Sequence, residues 1–295
     1  MSTAKFQIYA PILTPHSATL RYEGEICVEG VSLLVEQIRS TFDYYQYDHV
    51  GLHLESPGGA AVGLDYLLRN IAKYQDSGKS LHVRSTFLCA SAAALLLAFG
   101  SWGTRRVDRA TVLLFHFARI GASVSGLTAQ TANGYSRSLE QHDRNMIEKL
   151  VEHLSLQAGG ISELLVLVRN RLDLLDSHWA WVDEQLSGVS QVKRHAGRPE
   201  WFKKLRIVSK EDGEISRSKT QYIKYLVEAF QRDAPIDLRE AFALALIDVV
   251  DDVVVPEREL APVVIETLGR GEEANEDEKA IFANSRSDRD VHPRM

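Results

Sequence analysis

The first half of the chain alternates between two hydrophobic patterns. Apolar residues that recur every three or four positions predict amphipathic helices, and short apolar or alternating runs predict strands. Helices are predicted over 27–42, 60–73 and 90–99, and strands over 50–54, 80–87 and 110–117. Strands that alternate with helices through short connections predict an α/β fold with a parallel sheet and helical crossovers.

The second half is mostly helical in pattern. Helices are predicted over 127–157, 161–175 and 218–232, and 238–255 combines an Ala-rich helix with a Val-rich strand. We interpret the basic, Trp-containing stretch 190–210 as a solvated loop packed around aromatic anchors. The charged segment 271–295 has no periodicity, which predicts a disordered tail.

These patterns divide the chain into four parts. An α/β core is predicted over 1–125, followed by a helical region over 126–232 that holds an insertion at about 157–217. The core is predicted to resume over 233–265, before the tail.

Composition excludes several classes of protein. The chain has 295 residues, 45% hydrophobic and 25% charged, with a net charge of −6, which is typical of a globular protein with no broad attraction for nucleic acid or membranes. Cys27 and Cys89 are too few for a disulfide framework, and no Cys/His cluster has zinc spacing. The longest apolar stretch, 87–99, is shorter than the roughly 20 residues of a membrane span. We expect a cytoplasmic protein without a metal or cofactor.

Three local features carry candidate chemistry. Ser91 precedes an apolar helix, where a Ser is either an N-cap or a nucleophile that needs a base. His116 ends a strand and suits either a hydrogen-bonded core position or the role of that base. Gly58 and Gly59 follow a strand, where glycines permit a tight turn or close approach of the backbone to a ligand.

In combination these features are more specific. The Ser-Pro-Gly-Gly run ending at Gly59, the Ala-Ser pair ending at Ser91, and a His 25 residues after that Ser resemble the proteolytic subunit of the Clp protease and the crotonase-like superfamily. The resemblance implies a repeated β-β-α spiral core and a serine endopeptidase that acts through an acyl-enzyme. It also implies a homo-oligomer, a peptide or unfolded protein as substrate, and an AAA+ unfoldase as partner.

The resemblance also implies roles for individual residues. Ser91 is the expected nucleophile and His116 its base, while the backbone amides of Gly58 and Ala92 are the expected oxyanion hole. Asp233 matches the third triad position by its distance from the Glu-Ala pair at 240–241. Asp237 is the alternative, although its position also suits the N-cap of the next helix.

The chain departs from the family pattern around the triad. His116 and Asp233 are 117 residues apart, Phe117 stands where the family has Gln-Pro, and Gln231 stands where it has an Asp. These departures bear on assembly and on ATPase docking. A catalytically silent crotonase-fold scaffold or adaptor, an acyl-CoA hydratase or isomerase, and a Cys89 nucleophile are the alternative interpretations.

The basic, aromatic stretch of the insertion raises a separate possibility. Such a composition would suit nucleic-acid binding, but the acidic whole favours the solvated-loop interpretation, and nucleic acid is not an expected partner.

Overall fold

The structure is a computed structural model that describes residues 6–14, 17–118, 129–187, 198–210 and 215–251. It is an α/β protein with a mixed sheet. The strands are β1 (Phe6–Ile8), β2 (Ile12–Leu13), β3 (Ala18–Gly24), β4 (His49–Glu55), β5 (Ser80–Ser85), β6 (Leu88–Ala90), β7 (Arg106–Asp108), β8 (Val112–Leu114) and β9 (Val249–Asp251). The helices are α1 (Val28–Arg39), α2 (Ala61–Gln75), α3 (Ala92–Ala98), α4 (Ala129–Ala158), α5 (Ile161–Ser177), α6 (Trp179–Ser187), α7 (Glu200–Lys210), α8 (Ile215–Gln231) and α9 (Leu238–Ala243).

The main sheet has seven strands. Its parallel part runs β3–β4–β5–β7–β9, and β1 and β2 pair antiparallel with β3. Alternate residues of β4 show why one face packs on the core: Val50, Leu52 and Leu54 are buried, while the residues between them are partly exposed. The predicted α/β fold is therefore confirmed, with a parallel run of strands inside a sheet that is mixed because β1 and β2 are antiparallel.

Short additional β-pairings form just after the strands of the main sheet. β6 pairs in parallel with β8, and single bridges join Ser56 to Cys89 and Ile26 to Gly59. The chain thus leaves a main strand, makes a second short pairing, and only then enters a helix. The predicted helices of the first half begin at these points, and α3 is almost wholly buried, as its Ala and Leu content predicts.

The described parts of the insertion are helical, and the expectation of a solvated loop over 190–210 is wrong over residues 200–210. Residues 200–210 form α7, because Trp201 and Phe202 are buried against Trp179 of the neighbouring α6. Arg198 and Arg206 pair with Asp176, so these two basic side chains are neutralised by the protein. Lys193, Arg194 and the predicted tail 271–295 lie outside the described residues.

The long helices α4 and α5 confirm the predictions over 127–157 and 161–175. Among the residues that the structure describes, no single helix has the length and apolarity to cross a membrane. Gln130–Ala158 and Ile161–Ser177 meet that test only together, as a pair bent by 85°.

A buried charge cluster joins three distant parts of the chain. Arg105, which precedes β7, donates to both carboxylate oxygens of Asp248 at 2.5 and 2.7 Å, and Arg171 of α5 donates to one of them at 3.0 Å. All three side chains are at least 96% buried. Burial opposes ionisation of Asp248, but the two arginines outweigh it and hold the pKa of that carboxyl below its usual range.

We predict that Asp248→Asn destabilises the protein by about 3–5 kcal/mol, because it leaves two buried guanidinium groups without a counter-charge. Urea unfolding followed by circular dichroism measures the loss. Asp48→Asn is the control, since Asp48 pairs with Lys79 at the exposed surface and its loss changes the unfolding midpoint little. Equal midpoints for the two variants would contradict the prediction.

Candidate functional site

Parallel pairing of β6 with β8 brings Ser91 and His116 together. Leu88 pairs with Val112, Cys89 with Leu113 and Ala90 with Leu114. The pairing continues at Ser91, whose amide donates to the Leu114 carbonyl at 2.7 Å. Because the two strands are parallel, they end at the same side of the small sheet. Ser91 and His116, which are 25 positions apart in the sequence, therefore lie at one site.

Ser91 has an unusual backbone. Its φ is 57° and its ψ is −125°, a conformation that side-chain-bearing residues rarely adopt and that costs of the order of 1–3 kcal/mol. It occupies the N-cap position of α3, yet its side chain makes no capping hydrogen bond. The capping interpretation of this Ser therefore fails, and the hydroxyl lies at a strained strand-to-helix turn of the kind that carries nucleophiles in hydrolases.

The glycine pair is packed directly against this turn. A Cβ on Gly58, which has φ of 96°, would lie 2.4 Å from the Cβ of Ser91. A Cβ on Gly59 would lie 2.1 Å from the Ile26 carbonyl oxygen. Neither position has room for a side chain, so the close approach of backbone that the sequence suggested is present.

Ser91, Ala92 and His116 line one cavity of about 270 Å³. Its other lining residues are mostly apolar and come from the turn before α2 and from α2, α3, α4, α8 and the segment after β8: Gly59, Ala60, Ala61, Leu64, Leu95, Phe117, Ala118, His142, Asp143, Met146, Ile147 and Phe230. Three of the four residues singled out in the sequence, Ser91, Ala92 and His116, therefore line one cavity, whereas Gly58 is not among its lining residues.

The His116 ring is held in one tautomer. Its Nδ1 lies 2.7 Å from the Phe117 carbonyl oxygen, and because a carbonyl oxygen only accepts, Nδ1 must carry the proton. The neutral ring then has its lone pair on Nε2, the nitrogen that a general base needs. Among the described residues, Ser91 and His116 make no hydrogen bond to each other, and such bonds often form only when substrate binds.

Backbone donors near Ser91 are of two kinds. The Ala92 amide heads α3, where the first amides of a helix have no intrahelical acceptor. The Gly58 amide instead donates to the Ser56 hydroxyl at 3.0 Å. Gly59 lines the cavity, and within the described ranges its amide has no acceptor. Of the two glycines, Gly59 is thus the better-placed donor.

The structure does not bring either expected third carboxylate into the cavity. Asp233 is exposed and follows the end of α8, with φ of 52°. Asp237 caps α9 by accepting from the Arg239 amide at 2.9 Å, as its N-cap interpretation anticipated. Phe230, near the end of α8, lines the cavity and also stacks on the buried Phe115.

Cys89 is placed unlike a nucleophile. It is completely buried behind Ser91 and does not line the cavity. Burial raises the pKa of its thiol strongly, so the reactive thiolate is disfavoured.

Two polar residues of the cavity were missed in the sequence. His142 and Asp143 of α4 lie in it, and Asp143 Oδ1 accepts from the Ala118 amide at 3.0 Å. In the sequence they are only a His-Asp pair in the middle of a polar helix. Their spacing from residue 118 does not indicate that the two segments are in contact.

Glu55 fixes the turn that leads to the site. Its carboxylate accepts from the backbone amides of Thr86 and Leu88 at 2.6 and 2.8 Å and contacts His53 Nε2 at 3.0 Å. Burial works against its ionisation, but the hydrogen bonds of His53, Leu88 and Thr86 prevail and lower its pKa to about 2. β6, and with it Ser91, starts from this anchored turn.

Comparisons with known proteins identify no family for this chain. No protein-family model matches the chain, and a search of curated proteins finds no matching relative. Among the described residues, no group of three or more His, Cys, Asp or Glu side chains could hold a metal ion.

We predict that Ser91→Gly is more stable than Ser91→Ala by about 1 kcal/mol. Glycine relieves the strain at positive φ, and its greater entropy in the unfolded state offsets part of that gain. Chemical unfolding of the two variants measures the difference, and both lack the hydroxyl, so only the Cβ distinguishes them. An alanine variant of equal or greater stability would show that the turn is not strained.

We predict that Glu55→Gln destabilises the protein at pH 7 by roughly 2–3 kcal/mol. Because the pKa is lower in the folded state, the contribution of Glu55 is present above the ordinary pKa and is lost as pH falls toward 2. The stability difference between wild type and variant should therefore shrink between about pH 5 and pH 2. Glu148→Gln, at an exposed position of α4, is the control and should show no such trend.

Proposed function

We propose that this chain is a serine peptidase that hydrolyses peptide bonds through an acyl-enzyme. The observation that carries the proposal is the strained, uncapped Ser91 in one cavity with a His116 whose Nε2 is free to accept a proton. A serine hydroxyl needs such a base to become a nucleophile.

The reaction follows from these groups. His116 Nε2 takes the proton of Ser91 Oγ as the oxygen attacks the substrate carbonyl carbon, and the backbone amides of Ala92 and Gly59 stabilise the oxyanion. His116 then passes the proton to the leaving amine. Water, activated by the same ring, releases the acid and restores Ser91. The Gly58 amide joins the oxyanion hole only if it gives up its bond to Ser56.

The cavity supports a peptide with an apolar side chain beside the scissile bond. Leu64, Leu95, Met146, Ile147 and Phe230 are large apolar residues that line it, and burying an apolar side chain there would contribute about 1.5–3 kcal/mol. Extended peptides are also recognised through main-chain hydrogen bonds, which tolerate different sequences.

We further propose the crotonase-like β-β-α spiral as the fold. The support is the succession of main strand, second short pairing and helix that recurs at α1, α2 and α3. A homo-oligomer and an AAA+ unfoldase partner are proposed from the family resemblance rather than from any contact in the structure.

The proposal predicts that a fluorophosphonate probe labels Ser91, identified by peptide mass mapping. Ser91→Ala should abolish labelling, and His116→Ala should slow it by at least about a hundredfold, the usual contribution of a general base. His178→Ala, outside the cavity, and Cys89→Ala should label like wild type.

Light scattering of the same sample should accompany the assay, because assembly can gate a serine site. A folded, assembled wild-type protein that takes no label, or label on a residue other than Ser91, would overturn the proposed function.

A further inference from the structure

One peptide group is bonded on both sides within the cavity. The Phe117 carbonyl oxygen accepts from His116 Nδ1 at 2.7 Å. The amide nitrogen of the same peptide group, that of Ala118, donates to Asp143 Oδ1 at 3.0 Å. Two hydrogen bonds in series therefore join the carboxylate of Asp143 to the imidazole of His116.

Hydrogen bonds in a chain polarise one another. A carboxylate that accepts from the N–H of a peptide group draws electron density toward its carbonyl oxygen, which becomes a stronger acceptor. That oxygen then favours the imidazolium form of His116, which arises when the ring takes the Ser91 proton. The third member of a serine triad serves the same end by direct contact.

We propose that Asp143 is the positioning residue of this site and acts on His116 through the Phe117–Ala118 peptide group. This inference rests on the proposed function and replaces the directly bonded carboxylate expected at Asp233. Asp143 lines the same cavity as Ser91 and His116, whereas Asp233 does not.

The charged groups around Asp143 come from two helices. On α4, His142 Nδ1 lies 3.5 Å from Asp143 Oδ1. On α2, Asp65 Oδ2 lies 3.6 Å from His142 Nε2, and Lys149 of α4 lies 3.4 Å from the other Asp65 oxygen. Both His142 nitrogens are buried without a hydrogen-bond partner in the described part of the chain. Asp143 Oδ1 is thus hydrogen-bonded to the Ala118 amide at 3.0 Å, whereas His142 Nδ1 lies farther from it, at 3.5 Å, without a hydrogen bond.

Asp143→Asn tests the role of the charge, because an amide oxygen keeps the acceptor and removes the negative charge. The rate of fluorophosphonate labelling of Ser91 is measured from about pH 5 to pH 9 on the full chain. We expect a rate roughly tenfold lower, equivalent to about 1.4 kcal/mol, and a labelling midpoint at lower pH than in wild type. Asp143→Glu keeps the charge and should recover part of both effects.

Asp65→Asn is the matched control, since it removes a carboxylate from the same cluster that does not contact the 117–118 peptide group. It should leave the rate and the midpoint near wild type, as should Asp233→Asn. Circular dichroism checks each variant for folding, and Asp143→Ser supplies a second neutral acceptor if the Asn variant does not fold.

The outcomes separate the two proposals. If wild type takes no label, the proposed function fails. If wild type is labelled but the neutral variants at 143 label at the same rate and midpoint, the role of Asp143 is overturned. A rate loss without a change in midpoint would also overturn it, because a purely structural role predicts that result.

Discussion

The ion cluster of Asp248 with Arg105 and Arg171 is the interaction on which the rest of the molecule depends. It joins the segment before β7, the middle of α5 and the residue that precedes β9, which are far apart in the chain. Arg105 also donates to the last carbonyl of α3, at Ala98, and to Ala245. The cluster therefore anchors the C-terminal end of α3, and Ser91 lies at the N-terminal end of the same short, apolar helix. The structural ion cluster and the candidate site are thus connected through α3.

The candidate site combines a hydrogen-bonded His116 with a Ser91 whose backbone is strained. The pairing of β6 with β8 fixes the separation of Ser91 and His116. The backbone of the glycine turn packs directly against Ser91. Glu55 accepts hydrogen bonds from the turn that precedes β6. These constraints are backbone interactions for the most part, which is why the surrounding side chains can be small and apolar. The polar side chains that line the cavity are Ser91, His116, His142 and Asp143.

Much of this arrangement could be predicted from sequence because it is local. Periodicity located α1 to α5, and short motifs located Ser91, His116 and the glycine turn. The link from His116 to Asp143 through the 117–118 peptide group could not be predicted in this way. Asp143 reaches residue 118 through the packing of α4, and counting back from Glu240 led to Asp233, while α8 presents Phe230 to the cavity. The helix α7 was missed because charged residues on its outer face masked the buried Trp201 and Phe202.

The backbone of Ser91 limits how this site can change during evolution. At a φ of 57°, a residue with one γ atom can be accommodated, but a β-branched residue crowds the main chain severely. A cysteine is thus accessible by a single replacement, whereas a threonine nucleophile would require the turn itself to be rebuilt. Replacement of Ser91 by glycine relaxes the turn, so selection for stability alone would favour glycine at this position.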